Sequence, residues 1–281
     1  MDDLDTYAEN TWCRGRRICG NFGILSAFKK AIVKLEEKGI NREYIVISAG
    51  IGCHAKIFDY LNMSGLYSLH GRDIATVQGM KIANPELNVI TFSGDGNAMG
   101  EGLAHTIFAA KRNFNMTLIL HNNGVYALTT GQYTPLSEKG WKGPSTPKGS
   151  VEEPLNALAI MLEAGATFIA RGFPGKQAHL TDLMVKAIEH KGFSFLEILQ
   201  PAVAYKDTWQ FYRENTEILE KEPKSFDEAM KIVKKKDKLP IGIFYRIKKP
   251  TFHEELYGNW NPVRNRTSRE TRLQLLKPYI T

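Results

Sequence analysis

Residues 88–100 read NVITFSGDGNAMG and residues 116–126 read MTLILHNNGVY. Each stretch opens with a short apolar run rich in β-branched residues and then breaks into Gly, Asp or Asn. Runs of this length bounded by turn formers predict strands buried on both faces. Between them, 103–113 has apolar residues at helical spacing, so the unit is strand, helix, strand. The same alternation extends outward in both directions. A helix is predicted over 23–38, with Gly39 as its stop signal, followed by a strand at 44–48 and a helix at 75–84 before Pro85. After a Gly/Pro/Ser/Thr-rich loop spanning about 124–150 come a helix at 155–164, a strand at 167–170, a helix at 180–190 and a strand at 193–199. Strands alternating with amphipathic helices predict an α/β fold, a parallel sheet with helices on both faces. In such sheets ligands bind beyond the carboxyl ends of the strands. Segments 49–54, 94–102, 122–131 and 200–205 are therefore where chemistry is expected. Residues 1–205 read as the α/β domain. Residues 206–281, more charged and less periodic, read as a C-terminal extension that packs on the domain or on a partner subunit.

Composition narrows the function classes. The 281 residues carry 37 Lys+Arg and 30 Asp+Glu, giving a net charge of +7, with 43% hydrophobic residues. That balance is ordinary for a globular protein and excludes global disorder. No apolar run approaches the ~18 residues of a membrane span, and the start, MDDLDTYAEN, is not a secretory leader. Basic residues are scattered, the densest run being KIVKKKDK at 231–238, and no nucleic-acid-binding signature accompanies them. Three cysteines are too few for a disulfide framework, so a cytoplasmic chain with thiols or a metal site is expected. Neither nucleic acid nor membrane is an expected partner.

The two opening stretches also carry a ligand signal. Glycines directly after a strand let the backbone approach a phosphate, and the next helix offers free N–H groups. The spacing G-x-G-x-x-x-G differs from the dinucleotide fingerprint. Asp95 after one strand and an Asn after the next supply oxygen donors suited to Mg²⁺ on a diphosphate. Gly-Asp-Gly followed about thirty residues later by Asn-Asn is similar to the thiamine-diphosphate motif. The resemblance implies that Asp95, Asn123 and the Val125 carbonyl hold Mg²⁺. Asn122 competes with Asn123, and the N-x-V-Y spacing favours the latter.

Further stretches extend the likeness over nearly the whole chain: CGNFGIL at 19–25, GIGCHAKI at 50–57, LHGRDIATVQGMKIANPEL at 69–87, NNGVYALTTGQYTP at 122–135 and HKGFSFLEILQP at 190–201. The chain resembles the β subunit of 2-oxoacid:ferredoxin oxidoreductases, whose fold binds thiamine diphosphate. The resemblance implies that Ile51, Gly52, Cys53, His54, His70, Gly96, Asn97, Ala127 and Leu128 contact the cofactor. It further implies that Lys56 and His70 serve catalysis, Lys56 at the 2-oxoacid carboxylate. The expected activity is oxidative decarboxylation of a 2-oxoacid to acyl-CoA and CO₂, with CoA as acyl acceptor and electrons passed to ferredoxin. The expected partners are an α (or α plus γ) subunit and ferredoxin.

The chain departs from that family at its cysteines. The resemblance implies a [4Fe–4S] cluster held by four cysteines. Here Cys13 and Cys19 stand in a C-x₅-C spacing, Cys53 takes the third place and Ala202 the fourth. Alanine cannot ligate iron, so this chain cannot supply a complete four-thiolate site. Three readings stay open. A cluster can survive with His54, water or a partner residue as substitute ligand. Zinc can occupy the site, or the cysteines can be free thiols or a Cys13–Cys19 disulfide. Ala202 also motivates two alternative functions, a non-oxidative decarboxylase or carboligase and a non-catalytic structural subunit. Asn97 follows Gly-Asp-Gly where Asp is common, which removes one negative charge near the diphosphate. Thr130 stands where some 2-oxoglutarate-using members have Lys, which tilts the expected substrate toward monocarboxylic 2-oxoacids such as pyruvate.

Overall fold

The structure, a computed structural model, describes residues 2–6, 12, 18–235 and 238–280. In chain order the first half contains α1 (Gly20–Glu37), β1 (Ile45–Ala49), β2 (Gly65–Tyr67), α2 (Asp73–Ala83), β3 (Asn88–Gly94), α3 (Leu103–Lys111) and β4 (Met116–Asn122). The second half contains α4 (Ala157–Glu163), β5 (Phe168–Gly172), α5 (Gln177–Glu189), β6 (Phe193–Leu199), α6 (Trp209–Asn215), β7 (Thr216–Ile218), α7 (Phe226–Val233) and β8 (Leu239–Arg246). Two further helices, α8 (Phe252–Tyr257) and α9 (Arg269–Leu276), close the described chain. Among the described residues the strands form one sheet in the order β2-β1-β3-β4-β6-β5-β8-β7. Every pairing is parallel except that of β8 with β5.

Alternation along each strand sorts its side chains to two apolar layers. Ile47, Ile90, Phe92, Ile119 and Leu196 belong to the layer that includes α1 and α5. Val89, Leu118, Leu120, Phe193 and Phe195 belong to the layer that includes α2, α4 and α7. Phe28 of α1 meets Phe92 of β3 edge-to-face at 4.9 Å, which fixes the helix over the strand that leads into the Gly-Asp-Gly turn. Truncating a fully buried Phe of this kind typically costs about 3–5 kcal/mol. The parallel α/β architecture with helices on both faces is the one the periodicity predicts.

Three strands that the sequence pattern does not reveal, β2, β7 and β8, complete the sheet. β2 is three residues long and exposed, so it has no hydrophobic alternation to read. β8, LPIGIFYR, is punctuated by Pro240 and Gly242. Gly242 has φ 140°, and the register against β5 shifts between Ile169 and Ala170. A strand built around such an irregularity is masked in the sequence because Pro and Gly read as loop. The segment 206–281 thus supplies two strands to the sheet edge.

Candidate cofactor site

Four loops leave the carboxyl ends of β1, β3, β4 and β6 and converge on one region. After β1 the chain passes Gly50–Gly52 and winds into a 3-10 helix, Cys53–Tyr60. Gly52 has φ 145°, a conformation that side chains rarely adopt. After β3, Asp95 and Gly96 open a helical segment whose Asn97–Glu101 stretch is a π-helical turn. Turns of this kind recur at functional sites. A Cβ on Gly96 would lie 2.1 Å from the Tyr126 ring, so only glycine fits there. After β4, Gly124 at φ 65° turns the chain toward Val125 and Tyr126.

These loops enclose a cavity of about 460 Å³. Ile51, Gly52, Cys53, His54, His70, Gly96, Asn97, Asn123, Val125, Ala127 and Leu128 all line it. The structure therefore brings together every residue expected to contact the cofactor. Lys56 stands apart. Its ammonium pairs with Asp59 at 2.6 Å on the same 3-10 helix, and it is not among the residues lining the cavity. His70 does line it, with Nδ1 3.2 Å from Oε2 of Glu101.

Asp95, 2% exposed, stands between the lining residues Gly94 and Gly96 and is not itself among the residues lining the cavity. Burial pushes its carboxyl up to about 6, against hydrogen bonds from the Thr134 hydroxyl and from backbone N–H groups that include those of Asn123 and Gly96. These partners are all neutral, so an ionised carboxylate here lacks a counter-charge, and a divalent cation would supply one. Asn123 Oδ1 accepts the Val125 N–H at 2.9 Å, which leaves it a second lone pair, and Nδ2 donates to Gln200 Oε1 at 2.8 Å. Carboxylate, amide oxygen and carbonyl form the oxygen-only donor set that Mg²⁺ prefers. Asn122 is diverted elsewhere: its Nδ2 donates at 2.7 Å to Glu197, which is 3% exposed and paired with Arg171.

Asn97 is spent on the scaffold. Its Oδ1 accepts the N–H groups of Gly71 and Ile51, while Nδ2 reaches Asp73 and Ser93 at 2.6 Å each. One amide thus ties the β1 turn, the His70 loop and α2 to the end of β3.

A second cavity of about 680 Å³ shares Cys53, Asn123, Ala127 and Leu128 with the first. Cys19 and Ala202 line it together with Thr130 and Gln200. Gln200 Nε2 lies 3.6 Å from Cys19 Sγ, so Asn123, Gln200 and Cys19 form a chain of contacts between the cavities. Cys13 lies outside the described residues. Among the described residues no group of three or more His, Cys, Asp or Glu is arranged to hold a metal. His54, a substitute ligand considered above, lines the first cavity and is not among the residues lining the second.

Residues 50–198 match the C-terminal TPP-binding domain of thiamine pyrophosphate enzymes, and residues 205–259 match the C-terminal region of the pyruvate ferredoxin oxidoreductase β subunit. The chain is 38% identical to the 2-oxoacid:ferredoxin oxidoreductase subunit β of Saccharolobus solfataricus over 90% of its length and 87% of the relative's. The chain belongs to the β subunits of the 2-oxoacid:ferredoxin oxidoreductases. It is also 34% identical to a 2-oxoglutarate synthase subunit of Methanocaldococcus jannaschii, covering 88% of this chain and 91% of that one. Among solved structures it resembles the 2-oxoglutarate:ferredoxin oxidoreductase from Magnetococcus marinus, determined with 2-oxoglutarate, coenzyme A and succinyl-CoA bound. The TM-score is 0.89 at 32% identity, over 98% of this chain and 94% of that one.

As an oxidoreductase subunit with a thiamine-diphosphate domain, the β subunit carries site residues that sequence reasoning missed. Thr134 braces Asp95 from inside the irregular loop, where no period marks it. Gln200 sits in a post-strand segment already expected to carry chemistry. Glu101 and Tyr126 meet at 3.2 Å across the mouth. His121, at the end of β4, was visible only as a strand residue. The three cysteines of the chain do not fit a four-thiolate cluster, and the fourth place at the second cavity is a methyl group.

Among the described residues no helix is long and apolar enough to cross a membrane.

Proposed function

We propose that this β subunit binds thiamine diphosphate through Mg²⁺ held by Asp95, Asn123 and the Val125 carbonyl. Together with an α (or α plus γ) subunit it acts in the cytoplasm to decarboxylate a 2-oxoacid oxidatively, forming acyl-CoA and CO₂ and passing electrons to ferredoxin. The observation that carries this reading is the buried Asp95 carboxylate, bonded to the Asn123 backbone and flanked by Gly94 and Gly96 of the cavity wall. When bound, the cofactor supplies the electron sink for decarboxylation. The chain's own residues do the holding. Gly96 and Gly52 keep the walls open to a close-approaching ligand, Asn97 fixes three loops in register, and Tyr126 closes one side. His70 faces the cavity with Glu101 behind it, a position from which it can hold a proton near the reacting group. Lys56, turned to Asp59, would serve a substrate carboxylate only after leaving that pair. Thr130, a neutral residue at the second cavity, supports a monocarboxylic substrate such as pyruvate.

The test is CoA-dependent reduction of ferredoxin or a viologen dye by the complete complex supplied with Mg²⁺, thiamine diphosphate and a panel of 2-oxoacids. Decarboxylation without acceptor reduction would replace this reading by a second one, a non-oxidative decarboxylase or carboligase subunit, which Ala202 favours. No Mg²⁺-dependent cofactor binding by the complex would leave a non-catalytic structural role.

A further inference from the structure

His121 is fully buried near the end of β4, yet it lines the first cavity. Its Nδ1 lies 2.8 Å from Oδ1 of Asn21 on α1, and among the described residues its Nε2 has no hydrogen-bond partner. An amide oxygen only accepts, so the proton of the neutral ring sits on Nδ1. Nε2 then carries a lone pair and no hydrogen. The ring is fully buried, which disfavours its charged form. The other rings beside it do not satisfy Nε2: His54 and Phe92 each stand 5.9 Å away, centroid to centroid. Buried acceptors are almost always paired, so a bare one in a cavity wall points to a donor on whatever fills the cavity. Asn21 is itself buried and lines the second cavity, so the pair forms part of the wall between the two.

We infer that His121 Nε2 accepts a hydrogen bond from an N–H group of the cavity's ligand, and that Asn21 is a positioning residue that fixes the ring tautomer for it. The inference rests on the reading of this cavity as the thiamine-diphosphate site. An ionised 2-oxoacid offers only acceptor oxygens, whereas the aminopyrimidine of the cofactor carries an exocyclic amino group. That amino group is the donor His121 takes.

Two measurements on the complete complex test this. In ¹⁵N-histidine-labelled wild-type protein, His121 Nε2 gives an unprotonated imidazole signal that moves when Mg²⁺ and thiamine diphosphate are added. An Nε2–H tautomer in the wild-type protein would overturn the inference. Because this signal is read without mutation, the test stands even if a variant fails to fold. By calorimetry, His121→Asn, which keeps the reach to Asn21 but loses the outer acceptor, binds the cofactor about tenfold more weakly. His121→Gln, whose amide oxygen can stand in for Nε2, stays within about threefold of wild type. Wild-type affinity in His121→Asn would sink the inference while leaving the cofactor assignment intact. Absence of binding in wild type would remove the cofactor assignment, and the inference with it.

Discussion

The carboxylate of Asp95 accepts the backbone N–H of Asn123, so the ends of β3 and β4 are joined by a hydrogen bond next to Gly94 and Gly96 of the cavity wall. That bond sets the oxygen donors of two adjacent strands side by side. It also leaves a buried acid whose charge only neutral groups support, and this cost is measurable.

Asp95→Asn is expected to stabilise the metal-free protein at pH 8 and to weaken or abolish Mg²⁺-dependent cofactor binding. The folded carboxyl titrates near 6, above its usual 3.8, so folding favours the protonated form. Stability is fully present below about pH 3.8 and falls as pH rises through about 6, a loss of about 3 kcal/mol. Thermal unfolding of both proteins without metal, at pH 5 and pH 8, reads it. A variant no more stable than wild type at pH 8 would contradict the burial argument.

Cofactor affinity in the presence of Mg²⁺ should depend on pH through the same group. Metal binding requires the carboxylate. Below about pH 6 the affinity is expected to fall roughly tenfold per pH unit, and above it to level off. Calorimetric titrations between pH 5 and 8 give the profile, and a flat one would show that Asp95 is not a ligand.

Gly96→Ala tests the steric design. The added methyl meets the Tyr126 ring at 2.1 Å, so loop and ring must separate. Overpacking of this kind costs about 1–3 kcal/mol. We expect a lower melting temperature and loss of cofactor binding, with Tyr126→Ala in the same chain recovering part of the stability. If Gly96→Ala binds the cofactor as wild type does, the close wall is not a requirement.

Ala202→Cys adds a thiol beside the cavity that Cys19 and Cys53 line. If iron enters this site, the variant should retain more iron and sulfide per complex after anaerobic purification than wild type, because a fourth thiolate closes the cube. Elemental analysis and absorbance near 400 nm decide it. Equal iron in the two proteins would mean that residue 202 does not face a cluster.

The core of the fold was legible because β1, β3, β4 and β6 are buried runs with clear ends, and α1 and α5 have strong apolar stripes. β2, β7 and β8 were not, since β2 and β7 are only three residues long and Pro240 and Gly242 make β8 read as loop. In the site, alternation and turn chemistry pick out the post-strand segments, and the family resemblance names the residues within them that line the cavity. The resemblance assigns Lys56 to the substrate carboxylate, but on its 3-10 helix the ammonium pairs with Asp59, three residues on. Thr134 and Asn21 gave no signal, because each reaches the site across a long sequence separation.

Sequence alone determined that this chain alternates strand and helix, that Gly-Asp-Gly and Asn-Asn follow neighbouring strands, and that it has only three thiols. These are local properties, written in periodicity, turn chemistry and counting. The N-x-V-Y spacing favours Asn123, and the tertiary structure supplies the reason: β alternation sends Asn122 to Glu197 and leaves Asn123 at the turn. Only the tertiary structure decided that His121 meets Asn21 from 100 residues away. Hydrogen bonds between side chains so distant in sequence exist only once the sheet has brought their elements together, and no local pattern encodes them.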